Sequence, residues 1–171
     1  MSLATATLTV RRARLDDAAR IMEIWNREVL DTLATTDTEP RDLAAQRAWL
    51  ASHSAAYPVI VATPAAAPDE VTGYAALTPY RHKPAFRRTV EDSVYVDRAW
   101  RGRGVGRALL QHALELARAY GHRSVMARIT AGNAASRALH EALGFRLVGI
   151  EEEVAFKRGR WLDVAVYQRR W

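Results

Sequence analysis

Apolar and polar positions along the chain switch between two periods, and the switches outline the elements. Thr7 to Arg12 alternates in the manner of a strand. Leu15, Ala18, Ile21, Met22, Trp25 and Val29 then recur at helical spacing, behind the acidic pair Asp16–Asp17 that suits a helix N-terminus. This predicts a helix over Leu15–Leu30. A second helix is expected to open at Pro40, since proline is tolerated in a first turn, and to run to Ser54. Tyr57–Thr63 and Val71–Tyr80 read as strands, joined as a hairpin by the turn residues Pro64–Asp69.

The second half is more regular. Thr89–Val96 predicts a strand, followed by a glycine-rich turn and a helix from Gly104 to Tyr120 that Gly121 is placed to end. Arg123–Thr130 reads as a strand and Asn133–Leu143 as a helix closed by Gly144. Phe145–Phe156 and Trp161–Gln168 form a last pair of strands around Arg158-Gly159. The order β-α-α-β-β-β-α-β-α-β-β predicts a mixed α/β or α+β domain with the sheet at its centre.

With 171 residues, 49% of them hydrophobic and 26% charged, residues 1–171 read as one domain large enough for a real core. The absence of cysteine excludes disulfides, thiolate metal sites and a cysteine nucleophile. No apolar run approaches the roughly 20 residues of a membrane helix, and the first ten residues lack a basic stretch and a long apolar segment. The expectation is a cytoplasmic protein without a membrane partner. The net charge is +6, and between Arg81 and Arg107 eight basic residues face only three acidic ones. Such a local basic patch suits an anionic partner.

The stretch Arg101-Gly102-Arg103-Gly104-Val105-Gly106-Arg107 joins a predicted strand to a predicted helix. Glycines admit a close ligand, and a helix start offers free N–H groups to a phosphate. It is neither a dinucleotide fingerprint, because Arg107 stands where the third glycine would be, nor a P-loop, because no Gly-Lys-Ser/Thr follows. The spacing Arg101-x-x-Gly104-x-Gly106 resembles the pyrophosphate loop of the GNAT superfamily of N-acetyltransferases, which use acetyl-coenzyme A. By that resemblance Ser93-Val94-Tyr95-Val96 would line the pantetheine arm. Asn133 through His140 would be the helix that supplies a polar group near the thiol, and Gly144-Phe145 the shared turn after it. The implied fold is the GNAT fold: a mixed, mostly antiparallel twisted sheet splayed around a cofactor slot, with helices on both faces.

Within that superfamily, Thr89–Val96, Leu139–Phe145 and Phe156–Asp163 resemble the phosphinothricin and methionine sulfoximine acetyltransferases, as do Ile24-Trp25-Asn26 and Thr38-Glu39-Pro40. The resemblance implies a small amino acid with a free α-amine as substrate, and a homodimer. It assigns Val94, Tyr95, Val96, Arg101, Gly102, Arg103, Gly104, Val105, Gly106, Arg107 and Asn133 to the cofactor. Arg81, His82, Lys83, Glu91, Asp92 and Ser93 fall to the substrate. Glu91, a carboxylate interrupting an apolar strand beside the thioester, is expected to be the base; alternatively it only holds the substrate ammonium, or Asp92 is the base.

His140 stands where much of the superfamily has a tyrosine proton donor. It would donate to the leaving thiolate, accept from the amine, or simply pack. Asn133 would bond the pantetheine amide or cap its helix. Arg81, matching the family's substrate-binding loop, is expected to pair with the α-carboxylate; alternatively the loop is plain surface, and Arg87 or Arg88 could reach a phosphinate or sulfoximine oxygen instead. The family's Arg-Pro-Phe is here Arg81-His82-Lys83, which leaves side-chain specificity open. His53, His112 and His122 lack metal-ligand spacing, and no metal is expected. Trp25, Trp49, Trp161 and Trp171 suit core, dimer contact or pocket wall. Two other readings compete. A protein or peptide acetyltransferase would need an open groove. A nucleic-acid-binding module would show salt-sensitive RNA binding without thiol release.

Overall fold

The computed structural model describes residues 7–171, so the part of the leader expectation that concerns residues 1–6 lies outside the described residues. Its strands are β1 (Leu8–Arg12), β2 (Val59–Pro64), β3 (Gly73–Pro79), β4 (Thr89–Val96), β5 (Ser124–Thr130), β6 (Arg146–Lys157) and β7 (Arg160–Arg170). Its helices are α1 (Ala18–Asp31), α2 (Leu43–Ala51), α3 (Val105–Ala119) and α4 (Ala134–Ala142). One sheet holds the strands in the order β1-β2-β3-β4-β5-β7-β6. Among the described residues only the central β4–β5 pair is parallel.

Period-two alternation in the hairpin sorts side chains onto two cores. Ile60, Ala62, Ala75 and Leu77 face one way, against Leu109, Leu110, Ala113 and Ala117 of α3. Their neighbours Val59, Val61, Tyr74 and Ala76 face the other way, against Ile21, Ile24, Trp25 and Val29 of α1 and Leu50 of α2. Both faces of the sheet are thus covered, which explains why β2 is buried at every position rather than alternately exposed.

Two helix starts differ from the sequence expectation, each for a local polar reason. The Asp17 carboxylate accepts from the Arg14 backbone at 2.6 Å and from the Arg11 fork at 2.8 and 2.9 Å. Leu15–Asp17 becomes a 3-10 turn, α1 begins at Ala18, and Leu15 is left 56% exposed instead of joining the apolar face. The second helix opens at Leu43, not at Pro40. Asn26 takes both backbone groups of Arg41 (2.7 and 2.9 Å), which holds the chain away from helical pairing there. Asp42 then caps the helix by accepting from Ala45 N–H at 2.7 Å, an interaction worth about 1 kcal/mol.

The glycine turn is pinned from α1. Asp97 accepts from Ala99 N–H at 2.8 Å and from Arg20 at 2.6 Å. Arg101 reaches buried Glu28 at 2.7 Å. At the far end of the sheet, Arg158 and Gly159 both have positive φ, as a two-residue hairpin turn requires. The tip of that hairpin folds back onto the segment after α1: Lys157 Nζ, itself buried, donates to Thr35 O at 2.8 Å, and Arg158 donates to Leu30 O.

Asp17 and Asp97 make the fold acid-sensitive. Burial alone would raise both carboxyls. Arg11 and the Arg14 N–H hold Asp17 below its ordinary value of 3.8, and the Ala99 N–H with Arg20 does the same for Asp97. The unfolded chain therefore takes up protons first, and stability present above the ordinary carboxylate range is lost as pH falls through the lower folded values. Urea midpoints should drop between about pH 6 and about pH 3. Asp97→Asn should be less stable at the higher pH and lose less on acidification; an equal loss in both proteins would assign the effect elsewhere.

Candidate active site

The β4–β5 ladder contains only Thr89↔Ser124, Val90↔Val125 and Glu91↔Met126. Beyond Glu91 the two strands part, while β4 stays paired with β3 to Val96↔Gly73. The edge of β4 from Asp92 to Val96 consequently faces open space rather than β5. That space is a cavity of about 470 Å³. Asp92, Ser93, Val94, Tyr95 and Val96 form one wall, Ala127, Arg128 and Ile129 of β5 another, and Asn133, Ser136, Leu139 and His140 of α4 the end.

The glycine turn closes the other end of the cavity. Gly104 has φ +82° as the residue preceding α3, a conformation that L side chains adopt at a cost of about 1 kcal/mol or more. With Ala108 N–H bonding back to Gly104 O, the N–H groups of Val105, Gly106 and Arg107 are the first-turn donors without a helical carbonyl, and all three residues line the cavity. A Cβ on Gly106 would meet the Leu139 side chain at 3.2 Å, so glycine here lets α3 approach α4 across the cleft. Basic side chains, free N–H groups and an unpaired strand edge fit an extended ligand carrying a pyrophosphate at one end.

Arg101 and Gly102 also line this cavity, whereas Arg103 does not; its guanidinium lies over the Trp100 ring at 5.1 Å. Arg101 is held by Glu28 rather than left free. Asn133 accepts from Ser136 N–H at 3.2 Å, capping α4, and lines the cleft as well.

A second cavity of about 280 Å³ adjoins the first and shares Ala34, Asp92, Ser93, Tyr95 and Arg128 with it. Glu91 lines only this second space, together with Thr35, Asp37 and, from the far hairpin, Val154, Ala155 and Val164. Burial raises the Glu91 carboxyl; Arg128 opposes this, Asp92 and Glu151 reinforce it, and Arg81 opposes it more weakly. Arg81, His82 and Lys83 line neither cavity. They stand on the exposed loop after β3, with the Arg81 guanidinium over the rings of Tyr80 (4.9 Å) and Phe86 (5.9 Å).

At the junction His140 and Asp92 form a buried pair, their side chains 4% and 1% exposed. His140 Nε2 lies 3.0 Å from Asp92 Oδ2, and Nδ1 lies 2.7 Å from the Ser136 carbonyl. Both of these partners accept, so a charged imidazole donates to both, while the Ser136 hydroxyl also stands 3.4 Å from Nδ1. Burial would lower this imidazole, but the charge and hydrogen bond of Asp92 and the Ser136 carbonyl outweigh it and raise it. Among the described residues Asp92 Oδ1 has no partner, though it is buried between the two cavities.

Several site residues escape the sequence pattern. Glu28 carries a signal, being an acid on the apolar face of α1 between Trp25 and Val29. Thr35, Asp37 and Arg128 carry none, because only the tertiary fold brings them beside Glu91.

Residues 19–145 match the acetyltransferase (GNAT) family. The L-methionine sulfoximine/L-methionine sulfone acetyltransferase of Pseudomonas paraeruginosa is 43% identical over 94% of this chain and 92% of its own. The solved phosphinothricin acetyltransferase of Sinorhizobium meliloti, in complex with AcCoA, superposes with a TM-score of 0.91 at 38% identity, covering 96% of this chain and 88% of that one. The ribosomal-protein-alanine N-acetyltransferase of Brucella melitensis has the same TM-score of 0.91 and 38% identity, covering 95% and 99%.

The buried pair has a direct readout. Replacing Asp92 by Asn removes the charge that raises His140 and leaves burial, so the ring should titrate below its ordinary 6.5 instead of above it. Histidine ring NMR over a pH series measures this; an unchanged titration would mean that Asp92 does not hold the imidazole charged.

Proposed function

We propose, from the premise that this chain belongs to the acetyltransferase (GNAT) family, that it moves an acetyl group from acetyl-coenzyme A to the α-amine of a small amino acid. One observation carries the reading. A long cleft with phosphate-binding features meets a small acidic pocket, and the two share a wall at Asp92, Ser93, Tyr95 and Arg128. Bound acetyl-coenzyme A supplies the thioester. Val105, Gly106 and Arg107 would hold its pyrophosphate, the free edge of Val94–Val96 its pantetheine amides, and Asn133 the end near the sulfur.

The remaining chemistry falls to this chain. Transfer forms a bond from nitrogen to the acetyl carbon and breaks the carbon–sulfur bond, so the amine must lose a proton and the thiolate must be stabilised. Glu91 takes the amine proton. Its raised carboxyl is closer to a useful base strength than an exposed glutamate, and it lines the pocket that would receive the amine. His140 is poorly placed for that role, because both its nitrogens face hydrogen-bond acceptors. Its charged form favours stabilising or protonating the departing thiolate. A backbone N–H of Tyr95 or Val96 polarises the thioester carbonyl.

The pocket of about 280 Å³ suits methionine sulfoximine, methionine sulfone or phosphinothricin, the substrates in the names of the relatives. The exposed loop of Arg81, His82 and Lys83 lines neither cavity and is given no contact with the acceptor in this reading. A second reading, acetylation of a protein N-terminus, is favoured by the Brucella melitensis relative. Either detoxification or ordinary cytoplasmic amino-acid metabolism would use the first chemistry. Of the local basic stretch, Arg101 and Arg107 line the cleft and are ascribed to cofactor phosphates; nucleic acid has no part in this proposal. No helix among the described residues is long and apolar enough to cross a membrane.

A homodimer belongs to the same proposal. Leu147, Val148, Ile150, Val154, Phe156 and Trp161 are exposed on the β6–β7 hairpin at the sheet edge, which suits a second copy of the chain. Light scattering should read twice the 19.1 kDa chain mass, and Trp161→Glu should move it toward the single value.

The substrate reading is tested by thiol release from acetyl-coenzyme A with free amino acids, these analogues and a peptide beginning with alanine. Free amino acids should be preferred; exclusive turnover of the peptide would replace this reading with the second. Glu91→Gln keeps the shape and removes the base, so kcat should fall by about 10²–10⁴-fold. The acid limb of the wild-type profile, where activity falls as Glu91 takes up its proton, should vanish with it. A rise in KM alone would make Glu91 an anchor for the ammonium.

A further inference from the structure

We propose that Arg128 reads the anionic group of the amino-acid acceptor, a carboxylate or phosphinate oxygen pair, and that Glu151 tunes it by competing for the same guanidinium. The inference rests on the amino-acid acetyltransferase reading above and deepens it.

Arg128 lies two residues past Met126, the last β5 residue paired with β4, on the wall exposed by the parting of the strands. It lines both cavities, whereas Glu91 lines only one. The acceptor pocket otherwise holds carboxylates: Asp37, Glu91 and Asp92. A neutral α-amino acid carries a cation and an anion a few bonds apart. Three acids without a base would bind its ammonium and repel its carboxylate, and Arg128 is the one guanidinium lining that pocket among the described residues. Its planar fork matches two oxygens of a carboxylate or phosphinate. Arg81, Arg87 and Arg88, the arginines that the sequence offered for this role, line neither cavity.

The fork is already in use. Arg128 Nη1 and Nη2 donate to the two oxygens of Glu151 at 3.1 and 2.5 Å. Glu151 stands in β6 opposite Val164 of β7, and the two side chains of the pair are 34% and 39% exposed. An ion pair this exposed contributes little. A substrate anion presenting the same two oxygens in the more enclosed pocket can therefore displace it. The Glu151 carboxylate then acts as a built-in competitor: it keeps the guanidinium oriented when no acceptor is present and weakens binding of any acceptor that must replace it.

The test compares L-methionine sulfone, its α-carboxamide and L-phosphinothricin as acceptors at saturating acetyl-coenzyme A. Arg128→Ala should raise KM for L-methionine sulfone by about 10- to 100-fold, the range of a charged hydrogen-bonded pair, with a smaller change for the carboxamide. Arg128→Lys should fall between, keeping the charge without the fork. Glu151→Gln should lower KM for the acid a few-fold and leave the carboxamide unchanged, a gain that damage to folding would not produce. If Arg128→Ala weakens both acids, the α-carboxylate is the group read; if it weakens only L-phosphinothricin, the side-chain phosphinate is. An acid-to-amide preference and an L-phosphinothricin KM both unchanged in Arg128→Ala would overturn the proposal, as would loss of that preference in Arg81→Ala alone. A wild type that turns over no free amino acid would overturn the functional reading itself, which separates the two failures.

Discussion

The parting of β4 from β5 after three paired residues is the constraint on which the molecule is organised. A central parallel pair that continued to Val96 would give a more complete sheet and no cleft. Surrendering those hydrogen bonds exposes backbone donors and acceptors that need partners elsewhere. The structure tolerates this because β4 remains bonded to β3 along its whole length. The free edge is thus a prealigned row of peptide groups, and a ligand lying along it would complete the sheet in place of a strand.

Holding the cleft open requires its two ends to be fixed independently. At the end formed by the glycine turn, Arg20–Asp97 and Arg101–Glu28 tie the turn before α3 to the helix on the opposite face. At the reacting end, the Asp92–His140 pair joins the splayed strand to α4. All three contacts place charged groups where at least one partner is buried. Removing one member would leave the other uncompensated, so each is a strong positional constraint even if its net contribution to stability is small.

The fold was legible because hydrophobic periodicity and turn residues act locally. The strand Thr89–Val96 matches its expected bounds, and the helices on either side of β5 begin at the glycine and the asparagine that the sequence offers as start signals. The two helix starts that moved did so because a side chain reached a backbone group from another part of the chain or satisfied a turn of its own. Most of the residues expected at the cofactor line the larger cleft, Arg103 excepted, because they come from a contiguous motif and its neighbouring elements. The acceptor side does not come from one stretch. Its walls come from residues 34–37, 91–95, 128–130 and the last hairpin, and no spacing in the sequence links Asp37 or Arg128 to Glu91. Arg81 is offered by resemblance to the family's substrate loop, and that loop lies outside both cavities.

Lys157 buries its ammonium against the Thr35 carbonyl, fastening the tip of the final hairpin to the segment after the first helix. The two cavities therefore depend unequally on the end of the chain. The larger is lined by residues drawn from 28–140, whereas the smaller borrows Val154, Ala155 and Val164 from the hairpin that Lys157 fastens. Loosening that one buried ammonium would disturb the smaller cavity first and leave the lining of the larger in place.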